Sequence, residues 1–126
     1  MKKILLLAFA LILHANDTKL TPDEFVVKPK PPRSFNFQIS SSTGRVYGEF
    51  RASGGARNDI RVVIAESSEC VNYLNGNRAT TFYDSGPKTI GKIDVTLRNG
   101  DYCIVFDNRN SVVTSKEVAA SIYLSQ

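Results

Sequence analysis

The sequence predicts an all-β chain, an antiparallel β-sandwich or jelly roll of about seven to eight strands. Apolar residues recur with a period of two in short runs, from Phe35, Phe37 and Ile39 near the start to Val118, Ala120, Ile122 and Leu124 near the end. Gly, Asn, Asp, Ser and Pro punctuate these runs, and no long helical period interrupts them. In Gly100-Asp101-Tyr102-Cys103-Ile104-Val105-Phe106-Asp107-Asn108, Tyr102, Ile104 and Phe106 point one way while Cys103 and Val105 point the other. A strand apolar on both faces must be covered on both sides.

The chain of 126 residues has room for one domain. Lys2-Lys3 followed by the apolar run Ile4 to Leu13 reads as a signal peptide over residues 1–15, with cleavage near Ala15. That run is too short to span a bilayer, and no second apolar stretch follows, so a periplasmic or secreted product without a transmembrane segment is expected. Residues 16–33 read as a Pro-rich extended leader, with Phe25-Val26-Val27 able to pair at a sheet edge. Residues 34–126 are the expected β-sandwich domain.

Within it, Phe35 to Ile39 form a first strand, and Ser40 to Gly44 a polar turn. Val46, Gly48 and Phe50 mark a second strand, where Gly48 signals a bulge or a close backbone approach. Ser53 to Asn58 is a turn. Ile60, Val62 and Ile64 line a third strand whose other face, through Val63, is partly apolar. Ser67 to Leu74 can make a helical turn capped by Ser67 or Ser68 and ended at Asn75-Gly76-Asn77. Thr80 to Tyr83 read as a strand and Asp84-Ser85-Gly86-Pro87 as a turn. Ile93, Val95 and Leu97 follow a Gly91 irregularity. The turn Asn99-Gly100 then leads into the double-faced strand, and Val118 to Leu124 close the domain.

The residue inventory narrows the chemistry. His14 is the only histidine and leaves with the signal, which removes Ser-His-acid and Cys-His catalysis and most zinc sites. No nucleophile with a base and no phosphate-cradling glycine loop is evident, so the expectation is not an enzyme and no cofactor. Cys70 and Cys103 are the only thiols, and an even count in an exported domain suggests a disulfide, the alternative being two buried free thiols. Asp59, Asp84, Asp101 and Asp107 sit at expected strand ends, where carboxylates could gather calcium. Asp59, Asp101 and Asp107 are the weak metal candidates, against their commoner role as turn formers. Formal charge is +4, and without Lys2 and Lys3 it is 14 Lys and Arg against 12 acids. The arginines alternate with acids, which favours cross-strand ion pairs over a nucleic-acid surface.

The run Gly100-x-Tyr102 through Val105-Phe106-Asp107-Asn108-Arg109-x-Ser111, followed by Lys116-x-Val118, resembles the closing signature of the GOLD (Golgi dynamics) domain. Val46-x-Gly48 and Gly54-Gly55-x-x-Asn58-Asp59-Ile60 resemble its middle portion. In that family's signature the cysteine would fall at Val105, where this chain has Cys103 two residues earlier. The resemblance implies a compact β-sandwich used for protein or cargo contacts rather than catalysis, here as an exported bacterial relative. A pre-peptidase C-terminal type of bacterial β-sandwich, binding lipid, carbohydrate or calcium, is the competing likeness. The expected function is a non-enzymatic module binding a protein or envelope component. Its interaction candidates are Tyr73, Val105 and Tyr123, on and around the second face of the double-faced strand.

Overall fold

The computed structural model describes residues 17–54, 58–111 and 113–126. The signal peptide expected over residues 1–15, and residues 55–57 of the expected turn, lie outside the described residues. Among the described residues seven strands and one helix follow in the order β1 (Thr18–Lys19), β2 (Glu24–Val27), β3 (Arg33–Ser53), β4 (Ile60–Glu66), α1 (Ser67–Leu74), β5 (Tyr83–Lys88), β6 (Ile90–Asp107) and β7 (Lys116–Ser125). The all-β, antiparallel class is the one expected. The strands hydrogen-bond into one sheet, ordered β1-β7-β3-β6-β4-β5, with β2 also paired to β7.

The backbone of the fold is the β3–β6 ribbon, paired from Arg33↔Phe106 to Arg51↔Ile90. If it were straight, the 17 residues from Arg33 to Phe50 would separate Phe50 from Phe106 by roughly 55 Å. The two rings are instead 6.3 Å apart at the centroids. The ribbon therefore folds over, and its two halves share the main core of Ile39, Val46, Phe50, Leu97, Ile104, Phe106, Ile122 and their neighbours. Phe25 of β2 seals this core edge-on to Phe35 and Phe106, at 5.2 and 4.9 Å.

The bend falls where turns were expected. Ser40 to Gly44 and Asn99-Gly100 are not turns but the register shift between Ile39↔Gly100 and Thr43↔Arg98, so strands expected as separate pairs are continuous. The bulge leaves backbone groups off the ladder, and side chains satisfy them. Gln126 Oε1 accepts from the N–H groups of Ser40 and Ser41 at 2.8 and 3.1 Å, and Asn99 Nδ2 donates to their carbonyls at 2.9 and 3.3 Å. Turns and bulges use the same residues because both need substitute partners for the backbone.

A similar correction applies at Asp84-Ser85-Gly86-Pro87, which is a bulge inside β5. Ser85 Oγ accepts the Val62 N–H at 2.8 Å, in place of a backbone carbonyl. Pro87 is tolerated because β5 is an edge strand. At Gly48 the close-approach reading is the one observed. Its φ is +141°, and a Cβ there would sit 1.9 Å from the Ser121 carbonyl oxygen.

The second face of the double-faced strand is covered as expected. Cys70 and Cys103 form a disulfide, with Cα atoms 6.4 Å apart, that pins α1 across β4 and β6. Beneath it Val63, Ala65, Cys70, Cys103 and Val105 make a second, smaller core, flanked by Tyr73 and Leu74. Val71 points outward instead and is 59% exposed. The helix is eight residues long with Glu66 at its N-cap, and neither Ser67 nor Ser68 caps it. So short a helix depends on packing and the cross-link for its stability.

Candidate functional site

A cluster of polar side chains gathers at the C-terminal end of α1. Asp107 ends β6 and forms an Asx-type turn by accepting the Arg109 N–H at 2.9 Å. The same carboxylate accepts Arg109 Nε and Nη2, both at 3.0 Å, and the Tyr73 hydroxyl at 2.7 Å. Arg109 also donates to the carbonyls of Tyr73 and Leu74, at 3.1 and 3.3 Å, which caps the negative end of the helix with a cation. One strand over, Arg61 forms a bidentate pair with Asp84 at 2.9 and 2.5 Å. The guanidinium carbons of Arg109 and Arg61 lie 5.1 and 6.0 Å from the centre of the Tyr73 ring. The loop after α1 is held in place by Glu69, which accepts the Thr80 N–H at 2.6 Å. Between that loop and β4–β5 lies a hollow of about 330 Å³, lined by Arg61, Tyr73, Arg78, Thr81, Asp84 and Arg109 among others.

These contacts set the protonation states. Burial alone would raise the Asp107 pKa, but hydrogen bonds from Arg109 and Tyr73 outweigh it and hold the carboxyl below its ordinary value. The Arg61 hydrogen bond likewise lowers Asp84. Burial, aided by the hydrogen bond to Asp107, pushes the Tyr73 hydroxyl up to about 12. Every one of these groups titrates well away from neutral pH, so the arrangement presents fixed charges rather than a labile proton.

The structure disperses the residues singled out from the sequence. Tyr73 is in the site. Val105 is fully buried under α1 and cannot touch a partner, a correction that follows from the helix covering the face it occupies. Tyr123 lies on the outer side of β7, stacked on Tyr47 at 5.8 Å, with the main core between it and Tyr73. Asp107 is engaged by Arg109 and Tyr73. Asp101 is exposed in β6, and Asp59 is half-buried at the mouth of β4. Among the described residues no group of three or more His, Cys, Asp or Glu is placed to hold a metal ion. The expectation of cross-strand ion pairs is met by Arg61–Asp84 and Arg45–Asp94. What the sequence reading missed is the convergence on Tyr73. The spacing Asp107-x-Arg109 was a local signal of it, but the approach of Arg61 is tertiary.

No protein-family model matches the chain, and no curated protein matches it.

Proposed function

We propose that the chain is an exported, non-enzymatic, GOLD-like binding module that meets a protein or envelope component at the face carrying α1. The observation that carries this reading is the Arg61–Tyr73–Asp107–Arg109 network. It is rigid, charged and open to solvent through the adjoining hollow, and it offers no group poised to exchange a proton near pH 7. The basic, apolar N-terminal segment and the disulfide support export, since such cross-links persist in oxidising compartments. A small-ligand module is the second reading, favoured by a hollow within the usual volume range for small-molecule sites.

Co-purification of the tagged chain from its native envelope tests the reading. The Arg78→Glu variant, altered at the rim of the hollow, is expected to lose partners that the wild type retains. Tyr123→Ala, on the opposite face, is expected to keep them. Equal recovery with Arg78→Glu, or loss with Tyr123→Ala, would move the contact off this face.

A further inference from the structure

The hollow beside α1 shares Arg109 with a second one, of about 500 Å³, lined by Lys28, Pro29, Lys30, Ser111 and Ser115. Together they carry Lys28, Lys30, Arg61, Arg78 and Arg109 against Asp84 and Asp107, a surplus of three positive charges. From residue 17 onward the chain has 14 cations and 12 anions, so its surplus of two is concentrated here and the other residues sum to a formal charge of −1. Asp84 and Asp107 are already consumed by Arg61 and Arg109, whereas Lys28, Lys30 and Arg78 have no ion pair among the described residues.

We infer that this strip binds an acidic polysaccharide, a linear chain with carboxylate or sulfate groups repeating along it. One anionic group sits at Arg78 beside Arg61, and another reaches Lys28 and Lys30 across Arg109. Ser111, Ser115 and Thr81 line the two hollows and supply hydroxyls able to exchange hydrogen bonds with sugar hydroxyls. The lining discriminates against other polyanions. Neither hollow is lined by Leu, Ile, Phe or Met, and the exposed Val71, Phe82 and Val113 are part of neither lining, so the strip itself offers an anionic membrane charge without apolar surface. The Tyr73 ring, the one aromatic of the two linings, already has the Arg61 and Arg109 guanidinium groups against it, which disfavours stacking of a nucleic-acid base there. The ion pairs to Asp84 and Asp107 hold Arg61 and Arg109 in place before binding, which lowers that part of the ordering cost of meeting a repeating charge.

This inference rests on the binding-module reading and names its ligand class. The test is calorimetric titration of the disulfide-bonded protein with a sulfated hexasaccharide, a neutral hexasaccharide, sodium sulfate and a polyglutamate of matched charge. The sulfated hexasaccharide is expected to bind with an affinity that falls as salt rises, and the other three to bind weakly or not at all. Arg78→Ala and Lys28→Ala/Lys30→Ala are each expected to weaken binding about tenfold while leaving the melting temperature unchanged. Equal binding of sulfate ion or polyglutamate, no effect of either variant, or no binding of the hexasaccharide would overturn the inference. If the envelope partner still co-purified in an Arg78-dependent way, the module reading would stand without it.

Discussion

The two outer sides of the folded sheet, β4–β6 and β3–β7, are finished by different means. On the β4–β6 side, residues 102–108 are all buried, because α1 and its disulfide cover what the sheet turns outward. On the β3–β7 side the burial pattern alternates, with Val118, Ala120, Ile122 and Leu124 inside and Glu117, Ala119 and Ser121 exposed to solvent. That side carries the bidentate Arg45–Asp94 pair, the Arg45 guanidinium 4.8 Å from the centre of the Tyr47 ring, the Tyr47 hydroxyl donating to Asp17, and the Tyr47–Tyr123 stack. A face needs covering when its residues are apolar, and the cover in turn supplies the scaffold on which a charged site can be fixed. The bare side needs no cover, and its own Asp94–Arg45–Tyr47–Asp17 network lies on the sheet surface with no helix over it.

The strongest way to break the comparison is at the backbone of the bare side. Gly48→Ala places a Cβ against the Ser121 carbonyl in a conformation that L side chains rarely adopt. It should force β3 from β7 and cost about 4 kcal/mol or more, seen as loss of soluble folded protein or a large fall in urea midpoint. Next comes the covered side. Cys70→Ser/Cys103→Ser opens a cross-link spanning 33 residues, which should remove roughly 3.5 to 4 kcal/mol and lower the melting temperature by on the order of 15 °C. Amide exchange should then speed up over α1 before it does over β7. Uniform acceleration across both would mean that the second core is not a separate unit.

A smaller effect is expected at Tyr73→Phe, which removes one hydrogen bond to Asp107 and should cost about 1 kcal/mol at neutral pH. Its pH dependence is more telling. Asp107 has a lowered folded pKa, so its contribution is present above the unfolded value near 4 and is lost as pH falls through the folded one. Without the Tyr73 donor the acid loss should become shallower. Tyr73 has a raised folded pKa, so its contribution is complete below about 10 and is lost as pH rises toward about 12. The Phe variant should lack that alkaline loss, and urea midpoints across pH would show both limbs. The smallest effect is expected at Arg45→Ala, whose partner Asp94 is as open to solvent as Arg45 itself. No resolvable change in melting temperature is expected there.

Much of this fold was legible because period-two alternation reports which face a side chain occupies, whatever the partner strand. Parity alone put Cys103 and Val105 opposite Tyr102, Ile104 and Phe106, and the disulfide and second core lie on that side. The edge pairing of Phe25-Val26-Val27 was legible for the same reason, and Asn75-Gly76 ended the helix as their chemistry implies. The site was only partly legible. Tyr73 and Asp107 stood out, but Arg61 looked like one more arginine in an alternating strand.

What the residues determined by themselves is local: strand, face, helix end and the presence of two thiols in one small chain. Only the tertiary structure decided that Ser40 to Gly44, Asn99-Gly100 and Asp84 to Pro87 would be bulges rather than turns. Those polar residues satisfy backbone groups in either geometry, and the choice depends on whether a partner strand continues alongside. The same holds for the charged site, since Arg61, Tyr73 and Arg109 meet only once the ribbon has folded and the disulfide has drawn α1 onto it. Long-range proximity is written in packing, and no spacing along the chain encodes it.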